Sequence, residues 1–341
     1  MSLQGKKVLV VGTGKSGIAA TELLRANNID TVLFDGNKEL DTEALYEKVP
    51  AIREVPLILG DMTDAQMDEF DVAVLSPGVP TDIPMVNSLR DKGVKIWGEI
   101  ELAYTFGAGR IIAITGTNGK TTTTALTGEI MKNYFKDVRV VGNIGIPYTS
   151  MVTGSTDETV TVAEISSFQL ETIDTFKPHI SAILNITPDH LNRHHTMENY
   201  IRAKEDITKN QTKDDFCILN YEDKVLRGFA AECPAKVVFF SSKSELSEGF
   251  YLDGDIIMYA HDGSRDEIIN VNDLNLLGKH NFENVMAACA MSLSFGVPMD
   301  KIVEVLKVFK AVEHRIEYVT EKRGVKSVSY THLTLPTTAR V

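Results

Sequence analysis

At 341 residues, with 43% hydrophobic and 24% charged residues, the chain has an ordinary globular composition and is too long for one hydrophobic core, so two or three domains are expected. A net charge of −12 argues against nonspecific binding to nucleic acid or anionic membrane, but not against phosphate ligands, which backbone N–H groups can hold on an acidic protein. Cys217, Cys233 and Cys289 are odd in number and lack CxxC spacing, so no disulfide framework or zinc site is expected and a reducing cytoplasm fits; no signal peptide or membrane-length apolar run is visible.

The first hundred residues alternate short apolar runs with helical stretches. Lys7–Val11 reads as a buried strand, and residues 16–27 follow with apolar residues at helical spacing (Ile18, Ala19, Leu23, Leu24). Residues 31–34, 56–59 and 72–75 are further strands, and the βαβ rhythm predicts a parallel sheet covered by helices. A second alternation begins near Arg110. Residues 111–114, 138–141, 159–163, 180–186 and 216–219 read as strands, and residues 197–209, 281–294 and 301–310 as helices. A helix is expected from about Lys120, hairpins between Val237 and Val271, and a strand within 319–328. The unit boundary is expected near Gly98–Gly109. The fold class is therefore α/β.

Two glycine motifs sit at strand–helix junctions. Gly12-Thr13-Gly14-Lys15-Ser16-Gly17 fits GxGxxG, and Asp35 ends the next strand, where a ribose-binding acid would lie. Glycines permit a tight turn and close approach to phosphate, so a nucleotide-type ligand is expected, with a purely structural turn as the alternative. Gly116-Thr117-Asn118-Gly119-Lys120-Thr121 keeps the GK[ST] core of a phosphate loop, although Ile114 stands where the strict pattern has glycine. Lys120 is placed to reach terminal phosphate oxygens and Thr121 to face Mg²⁺.

TGTNGKTT (115–122) resembles the ATP loop of the Mur ligase family and of the related folylpolyglutamate synthases. VGNIGIP, AEISSFQLE, NITPDHLNRH, GKHNFENVMAA and EHRIE follow in the family's order. VGTGKSG, SPGVP and GEIELA are most similar to the branch that adds D-glutamate to UDP-N-acetylmuramoyl-L-alanine. The resemblance covers roughly residues 6–318. It implies ATP-dependent amide formation through an acyl phosphate in peptidoglycan precursor synthesis, with ATP and Mg²⁺, two ions expected, and no NAD. It implies a cytoplasmic monomer, a Rossmann-like UDP-substrate domain over 1–98, a central ATP-binding domain over 99–311, and the start of a third domain at 312–328.

By family match, ATP is held by Gly116, Thr117, Asn118, Gly119, Lys120, Thr121, Thr122, Asn281, Asn284 and Arg315. The UDP substrate is held by Gly14, Lys15, Ser16, Asp35, Ser76 and Asn143. The metal set is Thr121, Glu164, His190 and a carbamylated Lys204, and Lys120, Lys204 and His190 are the catalytic residues. Without the family, Lys204 reads as a solvated helix lysine, Glu164 as a capping acid, and Asn281 as an N-cap. Carbamylation needs a partly neutral amine, so a depressed Lys204 pKa is expected. His194 and His195 carry no match and are expected at the surface.

The family's third domain, of about a hundred residues, begins after the EHR segment, and only about thirty residues follow Val312 here. The expectation is a shortened chain with impaired amide formation, whose residues 329–341 (ending THLTLPTTARV) are a non-native tail. Three rival readings stand beside the D-glutamate-adding one. They are another Mur ligase or folylpolyglutamate synthase, a nicotinamide-dependent oxidoreductase built on the first glycine motif, and a nonenzymatic nucleotide-binding regulator.

Overall fold

The structure is a computed structural model describing residues 2–143, 145–276 and 278–310, together with the backbone of two strands at 315–322 and 325–330. The first sheet contains β1 (Lys7–Val11), β2 (Asp30–Asp35), β3 (Leu57–Leu59), β4 (Val72–Leu75) and β5 (Lys95–Gly98). All its pairings are parallel, in the order β3-β2-β1-β4-β5. Val8–Val11 and Val72–Leu75 are buried throughout because helices cover both faces, which is why these strands are apolar runs rather than alternating ones. The strand order reverses between β1 and β4, and in open α/β sheets the crevice beyond the strand carboxyl ends at such a point accepts ligands.

The second sheet contains β6 (Arg110–Thr115), β7 (Val138–Gly142), β8 (Val160–Glu164), β9 (Ile180–Ile183), β10 (Phe216–Asn220), β11 (Lys236–Ser241), β12 (Gly249–Asp253), β13 (Ile256–His261) and β14 (Ser264–Asn270). Its order is β14-β13-β12-β11-β10-β9-β6-β8-β7. β7 to β12 pair parallel; β12, β13 and β14 form the expected antiparallel hairpins. The loop after β6 lies at this sheet's own reversal point, flanked by β8 and β9. The helices Lys120–Tyr134 and Lys279–Phe295 pack on one face through Leu126, Ile130, Met131, Val285, Met286 and Ala290. Each large apolar side chain buried there contributes about 1.5–3 kcal/mol.

The expected strand over 180–186 stops at Ile183, and the expected helix over 197–209 is α-helical over Met197–Glu205 and continues as a 3-10 turn. Between the sheets, the helix Glu99–Phe106 is fixed by two buried carboxylates. Glu101 accepts from the amides of Asp174, Thr175 and Phe176 at 2.8–2.9 Å and from the Thr175 hydroxyl at 2.5 Å; Glu99 accepts from the Thr149 amide and hydroxyl at 2.6 and 2.8 Å. Strands at 315–322 and 325–330 pair antiparallel, where a strand was expected within 319–328. Residues 311–314 and 331–341 lie outside the described residues, and so do the side chain of Arg315 and the expected tail beyond Tyr330. No described helix is long and apolar enough to cross a membrane.

Candidate active site

The loop after β6 turns into its helix at Gly119, whose φ of +85° is left-handed; a Cβ there would lie 2.3 Å from Asn284 Oδ1, so glycine is required on both counts. Residues 184–187 leave the sheet to brace this loop. The Thr117 amide donates to Asn185 O (2.9 Å) and the Asn118 amide to Asn185 Oδ1 (2.8 Å), while the Thr117 hydroxyl lies 2.9 Å from the Tyr200 hydroxyl. Asn185 and Tyr200 were not singled out from the sequence, because their partners are distant in the chain.

Lys120 Nζ is folded back onto the carbonyls of Gly116 (2.9 Å) and Thr117 (3.0 Å). Lys204 Nζ reaches the same Gly116 oxygen at 2.9 Å. Lys204 is buried at 2% relative exposure, and its ammonium sits over the Tyr200 ring. Burial, followed by the nearby charge of Lys120, pushes its pKa down to about 7. The solvated-lysine alternative therefore fails for Lys204. Glu164 ends β8 and caps no helix: its Oε2 accepts from the Thr121 hydroxyl at 2.8 Å, its Oε1 from Asn143 Nδ2 at 3.3 Å. Thr122 is half-buried on the helix's first turn.

A cavity of about 200 Å³ opens among Gly116, Lys120, Asn143, Ser167, His190 and Lys204. His190 stands half-exposed on its rim at φ +51°, paired with Asp189 and against the Phe168 ring. Asn281 and Asn284 share a helix face as expected, with Asn284 Nδ2 donating to Asn281 Oδ1 at 3.2 Å. Asn281 is not the N-cap, which is Gly278. His195 is exposed as expected. His194 corrects the expectation of a surface residue: it is 4% exposed, with Nε2 2.9 Å from Ser167 Oγ and Nδ1 3.2 Å from Glu171 Oε1. Its partners lie more than twenty residues upstream, beyond the reach of a local pattern.

In the first domain a cavity of about 590 Å³ lies beyond the carboxyl ends of β1 to β4, lined by Gly12, Asp35, Gly60, Asp61, Met62 and Gly78 among others. Asp35 lines it while accepting from the Thr13 amide (3.1 Å), the Thr13 hydroxyl (2.6 Å) and the Asn37 amide (2.9 Å). Burial works to raise its carboxyl pKa, but these hydrogen bonds outweigh it and hold the value below the ordinary range. Thr13 is thus a partner the motif reading passed over. Gly14 is the helix N-cap without a side-chain cap, Lys15 is exposed, Ser16 is half-buried, and Ser76 Oγ is buried with no partner among the described residues. None of these four lines the cavity.

A phosphate-loop helix at the reversal point of a mostly parallel sheet, with a carboxylate facing the loop's threonine, defines an α/β protein of the nucleoside-triphosphate-binding class. Residues 114–292 match the Mur ligase middle domain and residues 6–98 the N-terminal domain of MurD-like Mur ligases, so the chain belongs to the Mur ligase family. It is 57% identical over 326 residues to the UDP-N-acetylmuramoylalanine–D-glutamate ligase of Lachnoclostridium phytofermentans, covering 96% of this chain and 72% of that protein. It is 45% identical to the like-named protein of Clostridioides difficile, with 97% and 72% covered. Among solved structures it resembles UDP-N-acetylmuramate-alanine ligase MurC of Thermotoga maritima (TM-score 0.57, 21% identity, 96% and 75% covered). A pseudomurein peptide ligase type C of Methanothermus fervidus gives a TM-score of 0.54 at 19% identity, with 96% and 75% covered. At these identities the two structures speak for the fold.

Proposed function

We propose that the chain acts in ATP-dependent addition of D-glutamate to UDP-N-acetylmuramoyl-L-alanine, a step of peptidoglycan precursor synthesis. The observation that carries the reading is the convergence of Lys120, Lys204, and the Thr121–Glu164 pair on one phosphate loop, within a chain 57% identical to a ligase of that name. The γ-phosphoryl of ATP passes to the substrate carboxylate, and the amine then displaces phosphate from the acyl phosphate. Lys120 leaves the Gly116 and Thr117 carbonyls to meet phosphate oxygens. With the Thr117 and Asn118 amides engaged by Asn185, the helix's first turn supplies the N–H groups that face phosphate.

The donor set fits Mg²⁺. Thr121 and Glu164 offer hard oxygens 2.8 Å apart, and no group of three or more His, Cys, Asp or Glu forms a metal cluster among the described residues. An ion here would take few protein ligands and complete its shell with phosphate and water, the habit of Mg²⁺. Bound there, it would neutralise charge on the phosphate oxygens. A second ion, on His190 and carbamylated Lys204, belongs to the same reading. The cavity beyond β1 to β4, with Asp35, receives the UDP part of the substrate.

Calorimetric titration with UDP-N-acetylmuramoyl-L-alanine and, separately, NAD⁺ at fixed Mg²⁺ tests the reading. Heat from the UDP-sugar alone supports it; heat from NAD⁺ alone would overturn it in favour of an oxidoreductase.

A further inference from the structure

One chain of polar contacts runs from the first domain into the ATP-side cavity. Arg193 Nη2 donates to the Val79 carbonyl of the first domain at 3.0 Å and to Glu171 Oε2 at 2.7 Å. Glu171 Oε1 faces His194 Nδ1 at 3.2 Å, and His194 Nε2 lies 2.9 Å from Ser167 Oγ. The Arg193–Glu171 pair is largely buried, and the His194 ring lies between Phe168 and Tyr200. Ser167 lines the cavity that holds Lys204 and His190, and His194 is its hydroxyl's only hydrogen-bond partner among the described residues.

The chemistry of each member fixes the direction of the chain. A carboxylate paired with a guanidinium offers only lone pairs and negative charge, which favours the ring proton on Nδ1, the nitrogen 3.2 Å from Glu171. Nε2 is then an acceptor, so the Ser167 hydroxyl donates to it and its oxygen offers only lone pairs to the cavity. The cavity's other side chains include the Lys120 ammonium and the Asn143 amide, which suit phosphate and carboxylate oxygens, and the Asp189 carboxylate is engaged by the His190 amide. An oriented acceptor suits the remaining reactant, an N–H donor.

We propose that Glu171 and His194 are positioning residues that hold the Ser167 hydroxyl as an acceptor for the incoming amine, and that Arg193 ties this orientation to the first domain. The proposal rests on the ligase reading above. The geometry is read without any reaction by long-range ¹⁵N–¹H NMR of the imidazole. His194 should show a protonated Nδ1 and an unprotonated Nε2, and Ser167→Ala should move the Nε2 resonance alone.

The kinetic arm uses hydroxylamine as the amine, with UDP-N-acetylmuramoyl-L-alanine and Mg-ATP. Hydroxylamine nitrogen bonds to the acyl carbon as the C–O bond to phosphate breaks, the surplus proton goes to water, and the hydroxamate is measured. An asparagine at 194 keeps the donor toward Glu171 and loses the acceptor toward Ser167; a glutamine does the reverse. H194N should lower hydroxamate kcat ~10- to 100-fold with KM for ATP unchanged, the loss expected of one oriented hydrogen bond, while H194Q stays within about threefold. S167A should match H194N, and the double variant should be no worse than either. Equal loss in H194Q and H194N, additive losses, or a protonated Nε2 would overturn the proposal. A wild-type chain that makes no hydroxamate counts against its own amide formation and not against its family, and the imidazole tautomer still decides the positioning geometry.

Discussion

Burial turns Lys204 into a quantitative prediction. An ordinary lysine with a pKa of 10.5 is neutral at pH 7 in about 3 molecules in 10⁴; with the pKa at about 7 the neutral fraction is about one half, a gain on the order of 10³. Only the neutral amine adds CO₂, forming a carbamate and releasing a proton, and the adjoining cavity of about 200 Å³ has room for the added atoms. With ¹³C-bicarbonate, NMR should show a carbamate carbon whose occupancy rises between about pH 6 and 8 and which Lys204→Met abolishes. The stability consequence has a definite sign. The folded pKa lies below the unfolded one, so between about 7 and 10.5 the unfolded state binds more protons and stability rises with pH. The full penalty, on the order of 5 kcal/mol for a pKa moved from 10.5 to about 7, is present below pH 7. In bicarbonate-free buffer, Lys204→Met should therefore raise the urea midpoint at pH 6, with the advantage shrinking toward pH 9. A carbamate that titrates near pH 10, or a methionine variant that is less stable at pH 6, would refute the reasoning.

Three further outcomes follow from the same geometry. Gly142 holds φ +127°, and a Cβ there would lie 2.0 Å from the Glu164 carbonyl; Gly142→Ala should displace Glu164 and weaken Mg-ATP binding at least ~10-fold by fluorescent-nucleotide titration, and unchanged affinity would contradict its role. Glu101→Gln turns an NH₂ group toward backbone donors that the carboxylate now satisfies, and should cost about 2–4 kcal/mol in chemical denaturation followed by Trp97 fluorescence. Asp35→Asn should weaken UDP-N-acetylmuramoyl-L-alanine ~10-fold or more while leaving ATP affinity unchanged, measured by calorimetry.

What the sequence could reveal depended on how far apart the responsible residues lie. β1 and β4 were legible because burial on both faces demands uninterrupted apolar runs. The phosphate loop was legible because strand, glycines, Lys120 and helix are contiguous. β5 and the helix Pro84–Asp91 were not anticipated: KIWG is four residues of mixed polarity, and Pro at a helix start punctuates as readily as it initiates. The burial of Lys204 was hidden because its partner, the Gly116 carbonyl, lies 88 residues away. The burial of His194 is hidden for the same reason, since neither Ser167 nor Glu171 shares its helix. The strand expected over 180–186 ends at Ile183 because Asn185 and Thr187, though apolar-flanked in sequence, serve the phosphate loop.

The two glycine motifs look alike in the sequence, and the structure separates their chemistry by what stands opposite each turn. Both follow a strand at the reversal point of a parallel sheet and open a helix. In the first, Lys15 is exposed, and the acid of the neighbouring strand, Asp35, is engaged by Thr13 beside a wide cavity lined by Met62, Met67 and Met85. That arrangement suits a ligand whose bulk is a base and sugar, held by one carboxylate and apolar contact. In the second, Lys120 and Lys204 are both drawn onto the loop's own carbonyl, and the opposing acid, Glu164, holds the hydroxyl of the first helical turn. Such a loop concentrates cationic donors and hard oxygen ligands in a cavity about a third the size, which suits a triphosphate with its ion. Among the described residues, the first loop has no counterpart of Lys204 or of the threonine–glutamate pair. On the proposed reading, binding at the first motif and transfer at the second are different chemistries on a shared scaffold, and Arg193, reaching Val79 from the segment that carries His190, is the side chain placed to register one against the other.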